Sequence, residues 1–371
     1  MRRFRRTLAT AALTVAVITG TAGWASADAQ QAVTGPPPGT AAWLADRAPA
    51  AGTGTAPAAG TGTGTAAVAV AVSVRGLPDP VSASPREVAA FFAALDPREA
   101  QALVRRHPTV VGNLDGVPVA LRYQANRLAV LATGEARYAS LAGAGRQILA
   151  FDPRGRGQVA EVFGDLGGAE HVAVVVPGSD NDATTYDRTR KPSSGPGGMA
   201  RALRDSAGPA TAVVAWTGYT TPVGVGLDAA QGRLARAGAD RLTRFLGGLD
   251  AVGARRPSLF CHSYGSVVCG LAARDTDARD IVVLGSPGMR ADTAADLHTR
   301  ARVWAAKDPT DWIDDVPDVE FAGLGHGADP TSPAFGARRI PADDAEGHTG
   351  YFVPGTRSLA AFTSIATGAA R

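Results

Sequence analysis

Short apolar runs alternate with amphipathic stretches along most of this chain, and capping motifs mark where the first helices begin. Residues 84–87 (SPRE) and 96–99 (DPRE) each combine a capping side chain, a proline at the first helical position and a glutamate three positions after the cap. They predict one helix through residue 95 and a second toward residue 106. Apolar residues at helical spacing predict a third helix over residues 119–131. We therefore expect residues 76–140 to form a helical lead-in.

From residue 141 onwards the apolar runs shorten to strand length, and several are followed by a helical stretch. The predicted strands are residues 147–151, 158–163, 171–176, 211–216, 258–261, 281–284, 302–306 and 337–340. Helical spacing covers residues 227–246, 264–274 and 357–365. Continuous apolar strands that alternate with helices are typical of a mostly parallel sheet covered on both faces. Residues 141–371 are thus predicted to be an α/β domain with about eight strands.

The first 75 residues lack this pattern. Residues 28–75 are mostly Ala, Gly, Thr and Pro with few large side chains, a composition that buries too little apolar surface to order a chain, so they predict a flexible tether. Residues 1–27 hold four arginines, then an apolar stretch over residues 8–18, then Ala25-Ser26-Ala27. This order is typical of a secretory signal peptide cleaved after Ala27. An uncleaved anchor is the alternative, although the stretch is shorter than the roughly 20 apolar residues of a span.

The charge balance argues against a nucleic-acid partner. The formal net charge is +3, but four of the 37 basic residues lie in residues 1–27, which contain no acid, so 33 basic and 34 acidic residues follow. No cluster of basic residues with interleaved aromatics occurs there, and we expect no nucleic-acid binding. Metal-ligand spacings such as C-x-x-C are also missing from the sequence. We expect no metal, no organic cofactor and, after signal cleavage, no membrane span.

Ser263 is the candidate nucleophile. It follows a predicted strand and precedes a predicted helix in the sequence Cys261-His262-Ser263-Tyr264-Gly265. Small neighbours let the backbone turn sharply, so that the serine hydroxyl stands above the sheet, which is the arrangement called a nucleophile elbow. Cys261 occupies the position where a first glycine is usual. The alternative is a serine that only caps a helix.

A serine nucleophile needs an imidazole base, and in this type of fold the base comes last along the chain. The histidines that follow Ser263 are His298, His326 and His348. We favour His348, because its loop follows the last predicted strand and precedes the last predicted helix. His326 is the rival, although a further predicted strand follows it.

The imidazole must in turn be oriented by a carboxylate just beyond the strand that ends at residue 306. Asp308 and Asp311 both meet this condition. We favour Asp311, because the apolar pair Trp312-Ile313 can anchor its loop, and keep Asp308 as the alternative. Either aspartate could instead cap a helix.

An oxyanion hole requires two backbone N–H groups that point at the developing negative charge. Tyr264, next after the nucleophile, supplies the first. The second is expected from the loop after the strand at residues 171–176, from Ser179 or from Asp180; we favour Ser179.

Cys261 and Cys269 are the two cysteines of the chain. An oxidising compartment would permit a disulfide between them. Their predicted places, at the end of a strand and inside the next helix, leave two buried free thiols as an equal alternative.

Several separated motifs resemble a family of actinobacterial α/β-hydrolases known mainly as a domain of unknown function. The shared motifs are GNLDGVP at residues 112–118, HVAVVVPG at 171–178, HSYGS at 262–266, GSPG at 285–288 and GH at 347–348 with YF at 351–352. The resemblance covers residue 84 to the C-terminus. It implies an α/β-hydrolase fold with Ser263, Asp311 and His348 as its triad, and it implies no particular substrate.

The leading hypothesis is a secreted serine hydrolase that cleaves a small-molecule or lipid-like carboxylic ester through an acyl-enzyme on Ser263. One alternative is a peptidase or amidase, because the same triad cleaves amides. Another is a binding protein that uses the fold as a scaffold without catalysis.

Overall fold

The computed structural model describes residues 29–46, 76–254 and 256–370. The predicted signal peptide over residues 1–27 and residues 47–75 of the predicted tether lie outside the described residues. The helices are α1 (Thr40–Ala45), α2 (Pro85–Ala93), α3 (Pro97–Arg106), α4 (Pro108–Asn113), α5 (Val119–Thr133), α6 (Pro196–Ala207), α7 (Leu227–Ala230), α8 (Arg233–Ala251), α9 (Gly265–Ala272) and α10 (Arg357–Ala366). The strands are β1 (Ile148–Asp152), β2 (Gln158–Phe163), β3 (His171–Val176), β4 (Thr211–Thr217), β5 (Ser258–His262), β6 (Asp280–Leu284), β7 (Arg302–Ala306), β8 (Glu320–Phe321), β9 (Leu324–Gly325) and β10 (Arg338–Arg339).

One eight-stranded sheet organises the chain, in the order β1-β2-β4-β3-β5-β6-β7-β10, and β8 pairs with β9 in a separate hairpin. The pairs from β4 to β10 are parallel. The pairs β1–β2 and β2–β4 are antiparallel and form one edge. The predicted mostly parallel sheet of about eight strands is confirmed.

The strand order creates a crevice next to the middle of the sheet. After β3 the chain forms β4, which lies on one side of β3 in the sheet. After α8 it returns to form β5, which lies on the other side of β3. Loops that leave two neighbouring strands in opposite directions open a crevice at the carboxyl ends of those strands, where open α/β sheets bind ligands. Pro177-Gly178 after β3 and Ser263-Tyr264 after β5 open the crevice in this protein.

Apolar layers cover both faces of the sheet. Leu242 of α8 and Val267 of α9 are fully buried in one layer. Leu203 of α6 and Phe362 of α10 are fully buried in the other. Strands enclosed on both faces bury successive side chains rather than alternate ones, which is why residues 259–261 of β5 and 281–284 of β6 form continuous apolar runs.

The helical lead-in has a small core of its own and is attached to the β1 edge of the sheet. The core is formed by α1 to α5 and includes Trp43, Val88, Leu103, Val110, Leu114 and Ala125. The side chain of Asn126 in α5 donates to the Ile148 carbonyl at 3.0 Å, and that of Asn113 donates to the Phe151 carbonyl at 2.6 Å. These contacts hold the lead-in against the first strand.

The prediction of a flexible tether is wrong for residues 29–46. Trp43 is fully buried, and its indole N–H donates to the Pro78 carbonyl at 2.7 Å. Further upstream, the side chain of Gln30 is hydrogen-bonded to the Thr221 carbonyl and to the Val223 amide in the loop after β4. A composition averaged over 48 residues does not reveal that single side chains, here Trp43 and Gln30, are held by the rest of the chain.

The single helix predicted over residues 227–246 is also wrong, because the structure divides it into α7 and α8. Gln231 leaves the helix to form a bridge with Leu324. At Gly232 a Cβ would lie 2.5 Å from the guanidinium carbon of Arg290, so the break is fixed by tertiary contacts. Among the described residues, no helix is both long and apolar enough to cross a membrane.

Candidate active site

Ser263 lies in a sharp turn between β5 and α9. Its backbone is left-handed, with φ of 55°, a conformation that costs a non-glycine residue roughly 1–3 kcal/mol and is found mainly at functional sites. The turn is packed too closely for side chains on either side. A Cβ at Gly265 would lie 2.4 Å from the Val176 carbonyl oxygen, and a Cβ at Gly178 would lie 2.6 Å from the Cβ of Ser263.

The unusual cysteine of the elbow is explained by a disulfide. Cys261 at the end of β5 is bonded to Cys269 in α9, with a Cα–Cα distance of 6.4 Å. The bridge encloses Ser263 and ties the strand before the turn to the helix after it. Of the two alternatives that the sequence left open, the structure contains the disulfide.

His348 and Asp311 are hydrogen-bonded, with 2.8 Å between Nδ1 of the ring and Oδ1 of the carboxylate. Asp311 caps the short 3₁₀ helix Trp312–Asp315 and accepts the Ile313 amide at 2.9 Å. The phenol of Tyr351 donates to the other carboxylate oxygen, Oδ2, at 2.6 Å. The carboxylate is thus held on both oxygens, and one of them faces the imidazole.

The pKa of Asp311 lies below its usual value. Burial alone would raise it, but the hydrogen bond from His348, the positive charge that His348 can carry and the hydrogen bond from Tyr351 outweigh burial. Asp311 is therefore ionised at neutral pH, which is the state that can orient an imidazole and stabilise an imidazolium.

Asp308, the alternative acid, has a different set of contacts. One of its carboxylate oxygens accepts the Thr310 amide at 2.8 Å and the Gly347 amide at 3.0 Å. It therefore holds the loop that carries His348 instead of facing the ring.

His326, the rival base, is buried away from any carboxylate partner among the described residues. Its Nε2–H donates to the Ala229 carbonyl at 2.7 Å, and its ring packs edge-on against Tyr264 at 5.5 Å. Burial lowers the pKa of His326 to about 4. These contacts are those of a packing residue between α7 and the elbow.

The geometry distinguishes the two candidates for the second oxyanion donor. The Asp180 amide donates to the Pro222 carbonyl at 2.8 Å and is therefore occupied. Neither the Ser179 amide nor the Tyr264 amide donates to another described residue. The side chain of Asn181 fixes this loop by donating to the Gly178 and Ser179 carbonyls, at 3.2 Å and 2.8 Å.

The hydroxyl of Ser263 makes no hydrogen bond to another described residue, so the Ser263–His348 contact is open in this structure. Ser263 and His348 nevertheless both lie next to residues 284–285. The Ser263 amide donates to the Leu284 carbonyl at 3.0 Å. At the next residue, Gly285, a Cβ would lie 3.1 Å from the His348 ring and 2.8 Å from Asp311. Hydrogen bonds between nucleophile and base are often long in ligand-free enzymes and tighten when substrate binds.

Residues 152–321 match the model of a family described as alpha/beta hydrolase. This region of the chain is therefore similar to the alpha/beta hydrolases. Two curated relatives, uncharacterised proteins from the CDC 1551 and H37Rv strains of Mycobacterium tuberculosis, are 28% identical over 385 aligned residues, which cover 79% of this chain. The chain spans about 57% of the length of these relatives.

Solved structures similar to this chain include a predicted CIB-like hydrolase from Thermoplasma acidophilum and carboxyl esterase 2 from the fungus Tuber melanosporum. The first is 13% identical with a TM-score of 0.34, covering 61% of this chain and 98% of its own. The second is 12% identical with a TM-score of 0.34, covering 66% of this chain and 96% of its own.

Two further residues hold the candidate site together and carry no role in the sequence-based prediction. Nε2–H of His262 donates to the backbone carbonyl of His348 at 2.6 Å, with ring centroids 4.6 Å apart. Burial, followed by the nearby charge of His348, lowers the pKa of His262 to about 3, so its ring is neutral. Tyr351 holds Asp311 from the other side. Both residues stand inside motifs read from the sequence, but only the folded chain shows which atoms they contact.

Proposed function

We propose that the protein is a secreted serine hydrolase that cleaves a carboxylic ester through an acyl-enzyme on Ser263. The observation that carries this proposal is the hydrogen-bonded pair Asp311–His348 beside a left-handed serine at the end of a central strand. A left-handed serine in the turn after a central strand of an α/β sheet is the arrangement that nucleophilic catalysis needs.

In the proposed reaction, the Ser263 oxygen bonds to the acyl carbon while its proton passes to His348. Because Nδ1 of the ring is bonded to Asp311, Nε2 is the nitrogen left to receive that proton. The carbonyl oxygen gains the negative charge, and the amides of Tyr264 and Ser179 are the proposed donors that stabilise it. Collapse of this intermediate breaks the bond to the alcohol, which leaves with the proton from His348. Water then repeats the sequence and releases the acid.

Covalent labelling with a fluorophosphonate probe tests the nucleophile. We expect the parent to be labelled, Ser263→Ala to be unlabelled and His348→Ala to react at least 100-fold more slowly, as for the loss of a general base. His298→Asn is the matched control, because His298 is an exposed histidine outside the site and asparagine tolerates its left-handed backbone. A folded parent that is not labelled, or labelling that persists in Ser263→Ala, would refute the assignment.

Two matched substrates distinguish ester from amide cleavage. A nitrophenyl ester and a nitroanilide with the same acyl group differ only in the leaving group. We expect turnover of the ester and little of the anilide; faster turnover of the anilide would assign the protein to the amidases or peptidases instead.

Secretion is tested at the N-terminus. The proposal expects the protein recovered from the culture medium to begin at Asp28. Recovery from the membrane fraction with residues 1–27 still attached would favour the uncleaved anchor.

A further inference from the structure

Large apolar side chains are exposed mainly in two segments next to the candidate site. The structure exposes ten such side chains among the described residues, and six of them lie in residues 223–227 and 312–321. We call these six the apolar rim: Val223, Val225, Leu227, Trp312, Val319 and Phe321. Single exposed apolar residues are ordinary, but a concentration of them marks a surface that contacts another apolar body.

The two segments of the rim are attached to each other. Residues 223–227 follow β4 and residues 312–321 follow β7, so both leave the carboxyl edge of the sheet. Leu324 of the β8–β9 hairpin forms a bridge with Gln231, and the side chain of His326 donates to the Ala229 carbonyl at 2.7 Å. The hairpin that presents Phe321 is therefore fixed against the segment that carries Leu227.

Both segments also contact the catalytic loops. The ring of Trp312 lies 4.5 Å from that of His348. The Gly224 amide, between Val223 and Val225, donates to the side chain of Asp180 at 2.9 Å, next to the proposed oxyanion donor. The apolar rim is thus continuous with the place where an ester bond would be cleaved.

The charges on the rim select the kind of apolar body. Residues 312–321 contain Asp314, Asp315, Asp318 and Glu320 and no basic residue. Lys307 is paired with Asp314 and Arg290 with Glu320, so the four acids of the segment are offset by two basic partners among the described residues. An anionic surface would be repelled by this segment, whereas a neutral or zwitterionic one would not.

We propose that the apolar rim docks on the acyl-chain region of a neutral or zwitterionic amphiphile surface, so that the hydrolase takes its ester from an aggregate. This inference rests on the proposed function, since it names the substrate class of the same site. Phe321 and Val225, exposed to 81% and 73%, would enter the surface, and Trp312 would lie between the surface and His348.

Binding to phosphatidylcholine vesicles tests the docking without requiring catalysis. Ser263→Ala protein that begins at Asp28, and so lacks the apolar stretch of residues 8–18, should float with the vesicles. Adding Val225→Ser and Phe321→Ser should weaken the partition at least about tenfold, because two large apolar side chains lose their transfer free energy. Leu131→Ser is the matched control: Leu131 is 58% exposed near the end of α5 and lies outside the rim, so its loss should change nothing. Vesicles of phosphatidylglycerol should bind less protein at low ionic strength.

Catalysis supplies the second readout. The variant Val225→Ser, Phe321→Ser with an intact Ser263 should hydrolyse a soluble short-chain ester at the rate of the parent. Its rate should fall at least about tenfold when the ester is presented in phosphatidylcholine vesicles. The docking proposal would be overturned if the Ser263→Ala protein did not bind vesicles. It would also be overturned if Leu131→Ser weakened vesicle binding as much as the rim substitutions, or if the rim substitutions left binding unchanged. Vesicle binding without turnover of any ester by the parent would instead refute the proposed function and leave the docking intact.

Discussion

Reducing the disulfide between Cys261 and Cys269, which spans the turn that carries Ser263, should lower the free energy of unfolding of the protein. The bridge has a sequence separation of 8, so it closes a loop of nine residues that includes the left-handed serine. In the unfolded chain this closure removes conformations that the reduced chain recovers. For a loop of nine residues the chain-entropy relation gives about 2.6 kcal/mol at 25 °C. That stabilisation is of the same order as the roughly 1–3 kcal/mol cost of a left-handed non-glycine residue.

Chemical unfolding measures this effect directly. The free energy of unfolding of the parent should fall by about 2.6 kcal/mol when a reductant is added. A Cys261→Ala, Cys269→Ala double variant is the matched control, because it has no bridge and should not respond to the reductant. Comparing each protein with and without reductant cancels the small cavities that the alanines leave.

Two results would refute the reasoning. One is a parent whose unfolding free energy does not respond, although alkylation shows that both thiols have become free. The other is a parent purified from an oxidising compartment whose two thiols are alkylated without any reductant.

Four shorter predictions concern the site. Tyr351→Phe removes a charge-assisted hydrogen bond to Asp311 and should lower the free energy of unfolding by about 1.5–3 kcal/mol in a urea titration at pH 7. Because the pKa of Asp311 is lowered in the folded protein, its stabilisation is complete above its unfolded pKa of about 4 and lost as the pH falls below that value; Asp311→Asn should flatten this part of the stability profile. Gly178→Ala should abolish fluorophosphonate labelling, since its Cβ would clash with Ser263, while near-ultraviolet circular dichroism shows a folded protein. Gln30→Ala should lower kcat for a soluble ester at least threefold with little change in KM, because it frees the loop next to the proposed oxyanion donor; equal kcat values would refute that role.

The sheet could be predicted because its strands obey one local rule. A strand such as β6, covered on both faces, carries a continuous apolar run, here residues 281–284, and such a run can be recognised without knowing the neighbouring strands. The capping boxes at Ser84 and Asp96 are equally local, since each is complete within four residues, and both are present in the structure. A structural element can be predicted from the sequence when the residues that determine it lie within a few positions of it.

Asp311 and Asp308 show how much of the candidate site could be predicted from neighbouring residues alone. Both aspartates follow β7, and the apolar pair after Asp311 was the only feature that separated them in the sequence. In the structure only Ile313 of that pair is buried, in the 3₁₀ helix that Asp311 caps. The carboxylate of Asp311 faces His348, while Asp308 holds the histidine loop. Both aspartates therefore contribute to the candidate site. The sequence argument treated them as alternatives and so did not predict that Asp308 positions the loop that carries His348.

The order in residues 29–46 could not be predicted because its cause lies far along the chain. Gln30 contacts Thr221 across 191 residues, and the Thr221 hydroxyl is bonded to Asn181, both donating to its carbonyl and accepting from its amide. Asn181 in turn donates to the carbonyls of Gly178 and Ser179. Three hydrogen-bonding residues therefore connect a segment of low-complexity composition to the loop of the proposed oxyanion donor. Composition averages over a segment, whereas this one is ordered by a single buried tryptophan, Trp43, and by polar groups that satisfy a loop of the sheet, so a compositional argument for disorder fails here.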